Sequence, residues 1–379
     1  MDRDCARPTQ FPTFLIEGSD PRERGRAFGS QAGEYVRSSI DAYAETFDHY
    51  TGLPWQRVRE AALAYGPEIE AFDEPIMREI EGIAEGADLE LADLLALNAR
   101  SEVMFGLGAP VPAECTAYFA GPDATAEGHV LLGQNWDWRP RSAESTVLVE
   151  VDQGGERPAF VMLAEAGLVG KLGFNDRGLG VTVNALQSSN DSGEPCVPVH
   201  VILRAILDSP DIATAVAAVR RAHRGASIAV TIADAGGEAI ALEAAAGGAE
   251  SIFVVEPEHD LLAHSNHFTA DLPFVDTGRE GHPDTISRLE RMRALLDSER
   301  GRLDDERLKR ILGDTEQAPN AIHRSADPAD HPVEAAATVA SVLIDLSTMT
   351  MQLAAAPFDA DSYESYRPAF AAAMARADR

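Results

Sequence analysis

The order of apolar patterns along the chain predicts an α+β fold, a layered sandwich with helices on both faces of packed sheets. The first hundred residues carry apolar side chains mainly at helical spacing. From Cys115 the pattern changes to short alternating or continuous apolar runs that are typical of strands, and helical and strand-like segments then alternate to the C-terminus. A chain of 379 residues is long enough for one large domain or two ordinary ones.

The N-terminal region is expected to contain one short strand, over residues 8–16, followed by helices. Ser19-Asp20-Pro21 places a capping oxygen before proline, which predicts the start of an amphipathic helix over 21–49. The further helices predicted in this region are 55–66, 74–86 and a fourth whose N-cap is Asp88.

A loop is predicted between the two halves of the chain, because residues 106–112 contain two glycines and two prolines. Beyond it, strands are expected at 115–120, 129–138, 146–151, 159–163, 171–174, 179–184, 228–232, 239–242, 251–256, 261–266, 339–346 and 350–353. Helices are expected at 197–208, 210–223, 285–297, 303–312 and 359–377.

Composition narrows the functional classes. A net charge of -30 argues against nucleic-acid binding, which needs clustered Lys and Arg. No apolar run approaches the ~20 residues that cross a bilayer, and no secretory signal is visible, so a cytoplasmic protein without a membrane span is expected. The acidic, lysine-poor composition fits either a high-salt cytoplasm or the Arg and Ala bias of a GC-rich genome.

Four motifs carry the functional prediction. They are Glu114-Cys115-Thr116, Gly133-Gln134-Asn135-Trp136-Asp137-Trp138, the run from Gly173 to Leu186, and His264-Ser265-Asn266-His267. In this order they resemble the penicillin acyltransferase family, which consists of cysteine N-terminal-nucleophile hydrolases related to bile-salt hydrolase and penicillin V acylase. Thr285-Ile286-Ser287-Arg288 and the stretch from Thr338 to Leu353 also fit. The resemblance implies a four-layer αββα sandwich of the N-terminal-nucleophile hydrolase type, preceded by a mostly helical pro-segment.

Cys115 is the candidate nucleophile and, by this resemblance, a future N-terminus. A thiol on the first residue has its own base, an α-amine with a pKa near ~8. Release requires cleavage of the Glu114–Cys115 bond by thiol attack on the carbonyl of Glu114, which divides the chain into a pro-segment of residues 1–114 and a catalytic domain of residues 115–379. Glu114 departs from the glycine expected before the nucleophile, and its carboxylate either slows cleavage or protonates the departing amine.

Four further residues receive roles from the resemblance. Asp137 is expected to hold the amine of Cys115 by a charged hydrogen bond. Arg288 is expected beside the sulfur, where a cation favours the thiolate. Asn184 and Asn266, each placed at a strand end, are expected to face the tetrahedral oxyanion.

Three other features of the sequence bear on what the protein binds. Gln134 stands where bile-salt hydrolases carry arginine, which makes bile-salt hydrolysis the less favoured activity. Gly170-Lys171-Leu172-Gly173 lacks the spacing of a phosphate-binding loop and is assigned to a strand entry. His264 and His267 stand three residues apart, which places them on opposite faces of a strand, so no metal site is predicted.

The predicted function is therefore a self-cleaving cysteine amidohydrolase or acyltransferase that cuts or forms a small-molecule amide bond through a Cys115 acyl-thioester. No cofactor is expected; acyl-coenzyme A is a candidate substrate, and the fragments of the precursor are expected to stay associated. One alternative is an acyl-coenzyme A-dependent N-acyltransferase rather than a hydrolase. Others are a general peptidase and a non-catalytic scaffold or binding protein with the same fold.

Overall fold

The computed structural model describes residues 8–109, 115–155 and 157–372. Within these ranges the N-terminal region contains a strand, β1 (Thr13–Glu17), and six α-helices. The helices are α1 (Pro21–Thr51), α2 (Trp55–Ala62), α3 (Gly66–Phe72), α4 (Glu74–Ala87), α5 (Leu91–Asn98) and α6 (Arg100–Leu107), with a 3₁₀ turn at Leu63–Tyr65. The predicted strand and the mainly helical character of this region are confirmed.

The remaining strands are β2 (Cys115–Ala120), β3 (Leu131–Trp138), β4 (Thr146–Asp152), β5 (Phe160–Glu165), β6 (Leu172–Asn175), β7 (Leu179–Ala185), β8 (Ile228–Asp234), β9 (Ala239–Ala244), β10 (Ile252–Val255), β11 (Leu261–His264), β12 (Ala337–Asp345), β13 (Thr350–Ala355) and β14 (Glu364–Tyr366). The remaining helices are α7 (Val199–Leu207), α8 (Ile212–Arg221), α9 (Thr277–Gly281), α10 (Asp284–Ser298) and α11 (Asp305–Leu312), with 3₁₀ turns at Pro140–Ser145, Ala249–Ser251 and Ala360–Ser362.

The strands form two sheets. The larger sheet has the order β1-β4-β5-β6-β7-β8-β9-β10, and the smaller has the order β11-β2-β3-β12-β13-β14. β2 and β3 contact β7 across the space between the sheets, α1, α7 and α8 contact the larger sheet, and α10 and α11 contact the smaller one. The four layers are therefore helix, sheet, sheet, helix, as predicted.

The helices of the N-terminal region pack closely against one another, and its strand β1 joins the region to the larger sheet. α1 begins after Asp20, whose carboxylate accepts from the N–H of Glu23. α1 and α4 approach so closely that glycines form the contact: a Cβ on Gly29 would lie 2.2 Å from the carbonyl oxygen of Ile83. β1 pairs in parallel with β4, so residues before the predicted cleavage point contribute a strand to the larger sheet.

Two local predictions are wrong. Asp88 does not cap a helix; it ends α4 with a left-handed φ of 54°, and α5 is capped by Glu90 through a capping box with Asp93. Residues 359–377 are not one helix, because β14 within this range pairs with β13, and Pro368 lacks the N–H that a helix through it would need. Residues 373–377 lie outside the described residues.

Candidate active site

Cys115 is the first residue of β2 and is buried between the two sheets. It pairs with Trp136 of β3, and the pleat places both side chains on the face toward the larger sheet. The side chains of Asp137 and Thr116 therefore lie on the opposite face, where Thr116 contacts Arg288 of α10. The sulfur of Cys115 contacts the backbone oxygen of Asp137 at 4.0 Å.

The predicted partners converge on the backbone of Cys115. Its N–H donates to Asn266 Oδ1 at 2.7 Å. Its carbonyl oxygen accepts from Asn184 Nδ2 at 3.1 Å and from Arg288 Nη1 at 2.9 Å. Asn184, Asn266 and Arg288, which are distant in sequence, are thus brought together around the backbone of Cys115.

Arg288 fixes this arrangement from α10. Its guanidinium also donates to Thr116 Oγ1 at 2.9 Å and to Asn266 Oδ1 at 3.0 Å, and it forms an ion pair with Asp284 at 3.1 Å. Asn266 Oδ1 therefore accepts from both Arg288 and the N–H of Cys115. The arginine hydrogen-bonds the backbone around the cysteine, and its expected role beside the sulfur stays a prediction.

The two asparagines differ in their contacts. Asn184 lies within β7, one residue before its end, and its amide points at the carbonyl of Cys115. Asn266 lies two residues beyond the end of β11, in a loop, and its Nδ2 donates to the carbonyl of Ala185 at 3.0 Å. Asn184 is therefore oriented as a donor toward the cysteine, while Asn266 presents its oxygen to the nitrogen of Cys115.

Asp137 is fully buried and accepts from Thr338 Oγ1 at 2.6 Å, its cross-strand neighbour on β12. Its expected hydrogen bond to the amine of Cys115 stays a prediction, because in the continuous chain this nitrogen is a peptide N–H that donates to Asn266. Glu114 lies outside the described residues.

The thiol of Cys115 is held in its neutral form in the continuous chain. Burial raises its pKa to about 12, and the charge of Asp137 adds to this, whereas Lys171 and Arg288 act in the opposite direction. A thiol in this setting needs a proton acceptor in order to attack a carbonyl.

A cavity of ≈ 60 Å³ opens beside Cys115, several times the ~15 Å³ that one water needs. Gln134 lines the cavity, but both polar atoms of its side chain bond the backbone of Val183. Its Nε2 donates to the carbonyl of Val183 and its Oε1 accepts from the N–H of Val183, each at 2.9 Å. This glutamine ties β3 to β7 across the two sheets.

Sequence reasoning missed three basic residues of this cavity, Arg100, Lys171 and His200. Lys171 lies over the ring of Trp136, with its nitrogen 3.1 Å from the ring centroid, and pairs with Glu165 at 3.0 Å. The sequence offered one signal for Lys171: it is one of only two lysines in the chain, which marks its position as unusual.

No group of three or more His, Cys, Asp or Glu side chains in the described ranges is arranged to hold a metal ion. His264 instead bonds Glu243 at 2.9 Å, and His267 bonds Thr285 Oγ1 at 3.1 Å. Both histidines support the loop that carries Asn266, whose N–H donates to the same Thr285 hydroxyl at 2.7 Å.

Among the helices of the described ranges, none combines the length and the apolar character that a membrane span requires.

Two sheets packed between helical layers, with a buried cysteine at the start of an inner strand, define the N-terminal-nucleophile hydrolase class of folds. The profile described as "AAT: Acyl-coenzyme A:6-aminopenicillanic acid acyl-transferase" matches residues 124–359, well over half of the chain. The chain belongs to this acyl-transferase family, which confirms the resemblance.

Several proteins of known sequence are similar to the chain, among them one from Emericella nidulans and one from Archaeoglobus fulgidus. The 40 kDa form of acyl-coenzyme A:6-aminopenicillanic-acid-acyltransferase of Emericella nidulans is 32% identical over 192 residues, which cover 50% of this chain and 51% of that protein. An "uncharacterized protein" of Archaeoglobus fulgidus is 23% identical over 382 residues, covering 89% of this chain and 62% of that protein. The chain thus covers about half of the first relative and less than two thirds of the second.

Of the solved structures, the Caenorhabditis elegans N-acylethanolamine-hydrolyzing acid amidase ortholog has a TM-score of 0.45 at 17% identity, covering 67% of this chain and 100% of that chain. Penicillin V acylase from Agrobacterium tumefaciens has a TM-score of 0.42 at 13% identity, covering 65% of this chain and 84% of that chain.

Proposed function

We propose that this protein is a self-cleaving cysteine amidohydrolase or acyltransferase in which Cys115 forms an acyl-thioester. The observation that carries the proposal is the buried Cys115 at the start of an inner strand, beside a cavity, with its backbone nitrogen on Asn266 and its carbonyl on Asn184 and Arg288. Membership of the acyl-transferase family supports the same chemistry.

Maturation follows from the position of Cys115 inside the chain. The sulfur bonds to the carbonyl carbon of Glu114, the peptide C–N bond breaks, and the thiol proton ends on the nitrogen, which becomes the α-amine. Water then hydrolyses the thioester, which leaves a carboxylate on Glu114 and restores the thiol. These two steps convert a peptide nitrogen into an amine, which is the base that a neutral thiol requires.

Two opposite charges lie near the amine that cleavage would create. Arg288 Nη2 and the nitrogen of Cys115 share Asn266 Oδ1, so a cation lies close to the new amine. A neighbouring cation disfavours the ammonium form, and the neutral amine is the form that accepts the thiol proton. The buried carboxylate of Asp137 acts against this effect, so the two charges together set the pKa of the amine.

Catalysis uses the same groups on a small amide or acyl thioester. The thiol proton passes to the α-amine, the sulfur bonds to the acyl carbon, and the leaving amine or thiol takes the proton. Water gives hydrolysis, and a second amine gives transfer. Asn184 donates to the oxyanion, an interaction worth roughly 3 kcal/mol in the transition state.

The two fragments are proposed to stay bound to each other after cleavage. Glu79 of α4 forms buried ion pairs with Arg24 at 2.9 Å and with Arg204 of α7 at 2.8 Å. Asn98 donates to the carbonyl of Gly167 at 2.9 Å, and β1 is paired with β4. Apolar residues of both fragments, among them Val36, Leu97 and Leu163, also share one buried core, and separation would expose this apolar surface to water, which is costly.

Intact-mass spectrometry tests maturation. Purified wild-type protein is expected to give fragments 1–114 and 115–379 that elute together in native size-exclusion chromatography, whereas Cys115→Ala stays full length. Cys196→Ser is the matched control, because Cys196 is also buried and is expected to leave cleavage unchanged. A full-length wild type that turns over amides would refute self-cleavage.

A further inference from the structure

The cavity beside Cys115 has a charge opposite to that of the whole protein. The chain carries 62 acidic and 32 basic residues, for a net charge of -30. Among the described residues that line the cavity there is no Asp or Glu, whereas Arg100, Lys171 and His200 all contribute to its wall. A lysine is rare in this chain, and one of the two is buried here.

The cations of this wall share one carboxylate. Glu165 Oε2 accepts from Arg100 Nη2 and from Lys171 Nζ, each at 3.0 Å. Its other oxygen accepts from the hydroxyl of Tyr43 at 2.5 Å, and that hydroxyl accepts from Trp138 Nε1 at 3.0 Å. Two cations therefore face a single negative charge that is already fully engaged.

His200 does not add a charge. It contacts Arg100, and its Nδ1 donates to the carbonyl oxygen of Gly170 at 2.8 Å. Burial lowers its pKa well below the ordinary value, and the neighbouring Arg100 and Lys171 act in the same direction. Burial also lowers the pKa of Lys171 to about 7, although Glu165 acts in the opposite direction, so the wall holds one positive charge in excess when Lys171 is protonated, below about pH 7. An anion bound beside the ammonium would raise this pKa and keep the charge.

Unused donors accompany this excess charge. Arg100 Nε has no hydrogen-bond partner among the described residues, although Arg100 is buried. Lys171 has three N–H donors, and Glu165 takes one of them while the ring of Trp136 covers another side of the ammonium. Burying an unpaired cation is unfavourable, and an anion in the cavity would remove that penalty.

We propose that this cavity binds a carboxylate carried by the substrate, with Lys171 and Arg100 as its partners, so that the enzyme acts on amides or thioesters bearing a carboxylate a few bonds from the reacting carbonyl. This inference rests on the proposed function, because it places the carboxylate relative to Cys115. The remaining wall is largely apolar, with Phe105, Leu186 and Leu203, and accommodates a short aliphatic spacer. The carboxylate belongs to either the acyl part or the amine part.

A matched substrate panel tests the proposal. The acyl-side pair is the N-butyl monoamide of succinate and its neutral diamide; the amine-side pair is N-acetyl-β-alanine and its carboxamide. Wild type is expected to favour the acid over the neutral partner in at least one pair by roughly 10- to 100-fold in kcat/KM, the size of a charge-assisted hydrogen bond. The favoured pair identifies which part of the substrate carries the carboxylate.

Lys171→Met is the test variant, and Lys309→Met is the control, because Lys309 is the other lysine and pairs with Glu306 on α11, away from the cavity. Lys171→Met is expected to lose the preference for the acid, so that the ratio of kcat/KM for acid over neutral substrate falls to about one whatever the variant's absolute rate, and Lys309→Met is expected to keep the wild-type ratio. Equal losses on acid and neutral substrates would overturn the proposal and assign Lys171 to the thiol of Cys115. Equal wild-type rates in both pairs would also overturn it.

A competition experiment needs neither a variant nor turnover. Succinate is expected to slow alkylation of Cys115 by iodoacetamide in wild-type protein, and succinamide at the same concentration is expected to have no effect. Peptide mapping reads alkylation at Cys115 separately from Cys196. Equal protection, or none from succinate, would refute carboxylate binding. Because this assay measures binding alone, it separates failure of this inference from failure of the proposed amide chemistry.

Discussion

Arg288 connects Cys115, the loop that carries Asn266 and helix α10. Its replacement by methionine therefore tests how this site is held together. The side chain is 1% exposed and makes hydrogen bonds of 2.9–3.1 Å to Cys115, Thr116, Asn266 and Asp284. Methionine keeps the apolar stem and most of the volume but removes the charge and every donor. Arg288→Met therefore isolates the guanidinium.

The expected loss of stability is about 3 kcal/mol. Removing one partner of a buried ion pair costs roughly 3–5 kcal/mol, because the other charge is left uncompensated. Here the abandoned carboxylate, Asp284, retains a second cation, Arg324, at 3.1 Å, which places the cost at the lower end of that range. Arg291 on the same helix is the matched control: it is 31% exposed and pairs with Asp314 at 2.7 Å, so Arg291→Met is expected to cost less than about 1 kcal/mol.

Urea unfolding at equilibrium measures both values, and iodoacetamide labelling of Cys115 below the onset of unfolding measures reactivity. Arg288→Met is expected to label more slowly than wild type, because a cation that lowers the pKa of the thiol is lost. Arg291→Met is expected to label at the wild-type rate. Equal midpoints and equal labelling rates for the two variants would refute the assigned role of Arg288.

Three further predictions concern other parts of the structure. Asn184→Leu is expected to slow formation of the acyl-enzyme roughly 10²- to 10³-fold, measured by time-resolved intact mass, and a loss below about tenfold would contradict its role as oxyanion donor. Gly29→Ala is expected to destabilise the fold by about 1–3 kcal/mol in urea unfolding, because the added Cβ would lie 2.2 Å from the carbonyl oxygen of Ile83; helix propensity alone predicts the opposite sign. Burial raises the pKa of Glu102 to about 7, so its contribution to stability is complete below pH ~4.5 and is lost as pH rises through 7. Glu102→Gln should therefore flatten that part of the stability profile by up to about 3 kcal/mol, and an unchanged profile would show that Glu102 is not the responsible group.

Local sequence signals predicted the elements whose causes are local. Asp20 and Pro21 mark the start of α1 because capping and a fixed φ act within one turn. Asp88 was misassigned because the same side chain also tolerates the left-handed conformation that ends a helix. The start signal lay two residues further on, in the reciprocal pair of Glu90 and Asp93.

The C-terminal strand could not be predicted from local patterns. Residues 359–377 are rich in alanine, and helix propensity dominates such a segment. In the structure, Tyr366 of β14 pairs with Met351 and donates its hydroxyl to Glu150. These partners are distant in sequence, so tertiary contacts override propensity there.

The candidate site likewise contains residues that sequence motifs predict and residues that only the fold brings together. Cys115, Asn184, Asn266 and Arg288 lie in motifs that the family resemblance marks, and the structure gathers the last three around the backbone of Cys115. The basic wall of the cavity has no such motif. Arg100 lies in α6, Lys171 directly before β6 and His200 in α7, and only the fold places Arg100 and Lys171 on Glu165 and His200 beside Arg100.

Intact-mass spectrometry of the protein incubated with a panel of acyl amides and acyl thioesters would show whether Cys115 is the nucleophile of an acyl-enzyme. We expect an acyl adduct on the fragment that begins at Cys115, released by hydroxylamine as a thioester is, and absent in Cys115→Ala. An adduct on another residue would contradict it. Turnover that persists in Cys115→Ala would contradict it equally, and no adduct or turnover with any member of the panel would favour a non-catalytic binding protein with this fold.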